Sequence, residues 1–163
     1  MASAFGEIFR HNLWANLRLL DYCAGLSDEQ LALAAPGTYG KVRETLAHLV
    51  AAESRYVGAL NGTEGARLER APFPGFETLR NIASESGAAL VRFAEDGLPS
   101  NLVERDRDGQ TWHIAPSHFM LQAINHATKH RSHVVSILTQ NGLTPPDLDG
   151  WVYSEATGLI RKD

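Results

Sequence analysis

Apolar residues recur every three or four positions through four long stretches of this chain, the spacing that lines them along one face of an α-helix. The first stretch runs from Ala4 to Ala24 and carries Phe5, Ile8, Phe9, Leu13, Leu20 and Cys23 in its stripe. Gly25 supplies a stop, and Ser27 with Gln30 has the capping-box spacing for a short helical turn beyond it. The second stretch, Val42 to Leu60, is lined by Val42, Leu46, Leu49, Val57 and Leu60 and closes at "NGTEG". A loop follows, "EGARLERAPFPG", whose two prolines make a poor helix interior. The third stretch, Phe76 to Glu95, carries Phe76, Leu79, Ile82, Leu90 and Phe93 and stops at Asp96-Gly97. The fourth, Pro116 to Gln140, ends at Asn141-Gly142, and Pro145-Pro146 prevents its continuation.

Between the third and fourth stretches, "LVERDRDGQTWHI" changes character. Asp108-Gly109 sits between two short runs of alternating character, the cue for a tight β-hairpin. Four amphipathic helices of similar length predict an all-α fold, a four-helix bundle with a small hairpin before the last helix. Without a repeat, linker or low-complexity tract, residues 1–163 read as one domain. The long connections between helices could shape a cleft at one end.

Composition narrows the function classes. Lys and Arg total 15 against 19 Asp and Glu, a net charge of −4, which argues against a nucleic-acid partner. Cys23 is the one cysteine, so no internal disulfide forms, and its place in line with Phe5 and Phe9 predicts an inert core thiol. The N-terminus lacks the unbroken apolar run of a signal peptide, and no window reaches the roughly 20 apolar residues of a membrane span. A cytoplasmic protein is the expectation.

The chemistry concentrates in "NHATKHRSHV", Asn125 to Val134. His126 and His130 are one helical turn apart, and His133 follows on the same face. Phe119, Ala123 and Ile137 continue that stripe, so these imidazoles interrupt an apolar face. A half-buried imidazole needs a partner, which a backbone carbonyl can supply, and a pair at i, i+4 is also well spaced to grip one ion. A pair does not complete a zinc-like site, which takes three protein ligands and leaves a fourth position open. The third must come from elsewhere: His11, His48, His113, His118 or a carboxylate. Periodicity does not select His48, which falls about 150° from the centre of its helix's apolar stripe, on the side expected to be exposed. Asn12 and Asn16 interrupt the stripe of the first helix and read as inter-helix hydrogen-bonding groups, or as donors lining a cavity. Glu53 interrupts the second, either orienting a histidine or pairing with an arginine such as Arg10 or Arg18.

Taken together, "TLAHLVAAE" and "NHATKHR", in that order and at that separation, resemble the DinB family, the DNA-damage-inducible, YfiT-like metalloenzymes. The resemblance covers nearly the whole chain, from "FRHNLWANLRLLDYCAGLSDEQL" through "GKVRETLAHLVAAESRYVGALNG" to "NGLTPPDLD". It implies a four-helix bundle, a homodimer, and a metal held by His48, His126 and His130. The chain departs from the family's pattern nearby. Lys129 stands where a histidine or tyrosine is common, Ser132-His133 where a Gly-Gln pair is common, and Gln122 where some members carry a further histidine. His133 is expected beside the pocket rather than on the ion.

Three neutral imidazoles leave the full divalent charge on an ion, which favours an anionic fourth ligand. The expected cofactor is Zn²⁺, with nickel, iron and manganese as alternatives. Some family members transfer low-molecular-weight thiols, and the absence of a second obvious catalytic acid or base fits that chemistry. The expected function is therefore thiol S-transferase-like chemistry on a small electrophile. The alternatives are a metal-dependent hydrolase and a non-catalytic, stress-induced bundle that binds metal or a small ligand. A DNA-binding role is disfavoured by charge and by the lack of a basic helix.

Overall fold

The structure is a computed structural model that describes residues 3–68 and 72–161, so part of the loop expected over 64–75 lies outside them. Four long helices form the body: α1 (Ala4–Cys23), α3 (Val42–Asn61), α4 (Phe76–Asp96) and α5 (Pro116–Gln140). Each starts where the sequence places it and ends within one residue of the expected stop. The Ser27 hydroxyl accepts from the Gln30 N–H and the Gln30 side chain accepts from the Ser27 N–H, which closes the one-turn helix α2 (Asp28–Leu31). The hairpin forms as β1 (Val103–Arg107) and β2 (Gln110–Ile114) in antiparallel register, with Arg107 opposite Gln110. Asp108 and Gly109 both take positive φ, 53° and 75°, which a two-residue hairpin turn of this hand requires.

A sixth helix, α6 (Gly150–Thr157), was not expected. It is short, and its composition carries no apolar stripe. Its ends are nevertheless marked: Asp149 caps the Trp151 N–H and Gly158 takes the left-handed conformation. Tyr153 anchors it, packing against His11 and Trp14 and donating its hydroxyl to Glu7 at 2.8 Å.

Around the bundle, α1 lies beside α4, α4 beside α3, α3 beside α5, and α5 beside α1. The apolar interior is divided in two. One cluster includes Leu19, Leu20, Leu46, Val50, Leu79, Ala83, Val134 and Ile137. The other gathers Phe9, Ala59, Leu60, Leu90, Phe119, Met120 and Ala123. Rising residue number leads α1 and α5 from the second cluster to the first, and leads α3 and α4 the opposite way. α3 and α4 are therefore parallel neighbours, which is why a full-length return connection separates them. Each fully buried Leu, Ile or Phe of these clusters contributes roughly 1.5–3 kcal/mol of burial energy.

Between the clusters lies a layer of buried polar side chains drawn from all four long helices: Asn12 and Asn16 of α1, Glu53 of α3, Ser86 of α4 and Arg131 of α5. The Glu53 carboxylate accepts from Asn12 (2.8 Å) and Asn16 (3.0 Å) on one oxygen and from Ser86 (2.8 Å) on the other. The Arg131 guanidinium donates to the amide oxygens of the same two asparagines, at 2.7 Å each. Both asparagines thus stand between an anion and a cation, with amide nitrogen towards one and amide oxygen towards the other.

Candidate metal centre

The layer holds α3 and α5 side by side, and on those two helices the histidines meet. His126 and His130 project from successive turns of α5, and His48 comes from α3. One nitrogen from each imidazole lies within 4.8 Å of the other two. His48 Nε2 and His126 Nε2 are 3.0 Å apart, and His130 Nδ1 is buried with no hydrogen-bond partner among the described residues. The ring centroids stand 4.8 Å apart for His48 and each of its partners, and 4.2 Å for His126 and His130.

This donor set fits a first-row divalent ion. Imidazole nitrogens bound at roughly 2.0–2.1 Å in tetrahedral geometry stand about 3.3 Å from one another. The His48–His126 pair is already near that separation, and the third imidazole offers a nitrogen within 4.8 Å of both. A buried imidazole nitrogen left without a partner costs stability unless a ligand meets it. Electrostatics agree. Burial first, then the proximity of His126, His48, His133 and Lys129, pushes the His130 imidazole down to about 3. At neutral pH it is uncharged, the state a ligand to a cation requires.

The walls around the histidines are aromatic. The Tyr39 ring stacks on His48, with centroids 4.1 Å apart and planes 14° from parallel, and meets His130 edge-on at 5.1 Å. On the other side Tyr56 of α3 stands perpendicular to His126 at 5.9 Å. Burial raises the Tyr56 phenol above its usual range, against a hydrogen bond with Gln122 and the nearby Arg55. Gln122, one of the departures from the family pattern, thus faces the site as the partner of Tyr56. His133 lies outside the three-nitrogen group: its Nδ1 accepts from the Tyr39 backbone N–H at 3.2 Å, and its ring meets His130 at 5.4 Å.

The other residues singled out in the sequence go elsewhere. His48 is half-buried rather than exposed, because α3 packs against both α4 and α5 and the side opposite its apolar stripe is a second interface. His11 bonds the Leu148 carbonyl at 2.8 Å, His113 of the hairpin pairs with Glu104, and exposed His118 lies against Phe119. Glu53 does not pair with Arg10 or Arg18. Arg10 bonds Glu7 and Glu95, while Arg18 lies over Trp14. The arginine that faces Glu53 is Arg131, across Asn12 and Asn16, which act here as inter-helix bonding groups. Cys23 is buried, and burial pushes its thiol up to about 12, far from a reactive thiolate.

Sequence reasoning missed Tyr39, Tyr56, Ser86 and Arg131. Tyr39 lies in a loop with no periodicity to read. Arg131 had a signal, since Ala127 and Val134, about one turn before and after it, are apolar. Tyr56 had one too, being two turns beyond His48.

Comparison with known proteins agrees with this geometry. Curated proteins provide no match to the chain. The family model described as "DinB family" matches residues 1–163. With the whole chain matched, a helical bundle as its fold and three clustered histidines at the positions the resemblance implies, this chain belongs to the DinB family.

Proposed function

We propose that the chain, acting as one domain, is a metal-dependent enzyme in which His48, His126 and His130 hold a divalent transition ion, zinc foremost. The activity we assign is transfer of a low-molecular-weight thiol to a small electrophile. The observation that carries the reading is the convergence of three imidazole nitrogens, from two helices far apart in sequence, within 4.8 Å.

Such an ion, when bound, supplies Lewis acidity and lowers the pKa of a coordinated thiol or water. The chain's own residues do the rest. The His130 imidazole is held neutral by burial and by its neighbours, and a donor set of three imidazoles brings no carboxylate to offset a cation, so the site favours an anionic ligand. His133 and Lys129, the other ionisable groups felt by His130, are nitrogen bases rather than carboxylates. Tyr39 and Tyr56 flank the imidazoles with apolar ring surface, which limits water there, and the Tyr56 hydroxyl with Gln122 offers a polar pair to orient a substrate. Homodimer assembly belongs to the same proposal, supported by apolar Phe5 and Ile8 of α1 and Leu121 of α5, which are exposed in the single chain.

Elemental analysis of protein purified without added metal tests the site. The parent is expected to carry close to one equivalent of ion and the His126→Ala variant almost none. Loaded protein is then offered small electrophiles with a panel of cellular thiols. Thiol-dependent consumption of the electrophile supports transfer. Hydrolysis of esters without thiol would replace the transferase reading with the hydrolase one.

A further inference from the structure

We infer that His133 is a positioning residue that latches the loop carrying Tyr39 onto the three-histidine centre, so that release of the ion is gated by that loop. This inference rests on the metal-site reading above. The loop lies between α2 and α3. Its turn is set by Gly37, at φ +80°, and by Thr38, whose hydroxyl donates to the Ala35 carbonyl at 2.7 Å. Thr45 at the start of α3 holds its far end, its hydroxyl donating to the Lys41 carbonyl at 2.9 Å.

Tyr39 itself is 48% exposed, so general burial does not fix its ring. Two contacts do. The ring lies flat on His48 and edge-on to His130, touching one histidine from each contributing helix. Its backbone N–H is held by His133 Nδ1, one turn of α5 beyond His130. Nδ1 accepts in this bond, so the imidazole proton sits on Nε2 and His133 bonds the loop in its neutral form.

The consequence is a coupling. An ion that fixes the rings of His48 and His130 fixes the surface on which Tyr39 stacks. A loop fixed by His133 in turn restrains those two rings against the rotations that would let an ion leave. Each event favours the other to the same degree. His133 therefore acts on the centre through Tyr39, without coordinating the ion itself.

The test is the rate at which Zn²⁺-loaded protein gives up its metal to excess chelator, read beside amide exchange in the peptide covering residues 34–41. His133→Ala and Tyr39→Ala should each bind one equivalent of Zn²⁺, release it about tenfold faster and expose the loop amides to exchange. The double variant should release metal no faster than Tyr39→Ala alone, since both changes open one latch. His133→Asn, whose side-chain oxygen can accept the same N–H, should stay near the parent rate. Parent-like release from His133→Ala, or additive acceleration in the double variant, would overturn the latch. His48→Ala separates the two readings. Loss of stoichiometric Zn²⁺ from that variant upholds the centre, whatever the latch variants do, whereas full retention would remove the centre and the coupling with it.

Discussion

An imidazole that could hold a cation has to be unprotonated, and His130 meets that condition. It is 4% exposed and faces three other imidazoles and a lysine, with its pKa brought from 6.5 down to about 3. The sign of the linked stability follows directly. Between these two values the unfolded chain takes up a proton that the folded chain refuses, so this contribution is intact above pH 6.5 and declines as pH falls towards 3. For metal-stripped protein, the urea midpoint should drop on acidification through that window, and His130→Asn should flatten the drop by up to about one proton of linkage. An equally steep pH dependence in His130→Asn would show that other groups govern it. The identity of this residue as a ligand candidate was legible from its spacing to His126. Its loss of basicity was not, because that depends on His48 arriving from another helix.

The contact between α1 and α4 is the closest helix pairing that the structure documents through a glycine. A Cβ on Gly87 would stand 2.5 Å from Leu13 Cδ1 and 3.0 Å from Leu13 Cβ. Gly87 is buried inside α4, where its helix propensity is about 1 kcal/mol worse than alanine's, so its presence marks close approach. Gly87→Ala should therefore destabilise, by about 1–3 kcal/mol from overpacking, despite the better helix former. Thermal unfolding measures this, and a stabilised variant would mean that Leu13 has room to turn aside. The element boundaries themselves were legible because caps and breakers act locally: the Ser27–Gln30 box, Asn141-Gly142 and Asp108-Gly109 all do what their residue types predict. α6 escaped notice because eight residues with one buried side chain leave no stripe to read.

At the scale of the molecule, the polar layer is the feature that ties all four long helices to one another and sets α3 against α5 at the level of the histidines. Burial raises the Glu53 carboxyl above its usual range in spite of its hydrogen bonds, and lowers the Arg131 guanidinium to about 10 in spite of Glu53. Each group is thus tolerated only because the other is present. Glu53→Ala and Arg131→Ala should each cost about 3–5 kcal/mol by leaving an uncompensated buried charge. Replacing both by leucine should cost much less than the two losses added, because the stranded charge disappears with its partner. A double-mutant cycle from denaturant unfolding reads the difference. Additive losses would show that the two groups do not sense one another across Asn12 and Asn16.

The sequence by itself determined the four long helices and the short turn α2, the hairpin turn, the bundle class and the pair at His126 and His130, since periodicity, capping and i, i+4 spacing are properties of neighbouring residues. Only the tertiary structure decided that His48 completes the cluster and that Arg131 answers Glu53. It alone also brought Tyr39 to lie across the imidazoles, with His133 holding it there. These are meetings between segments tens of residues apart. A helical wheel assigns a side chain to a face, but which second helix covers that face depends on how the whole bundle packs. His48 lies on the side opposite its own apolar stripe, and that side is interior because α3 has neighbours on both flanks.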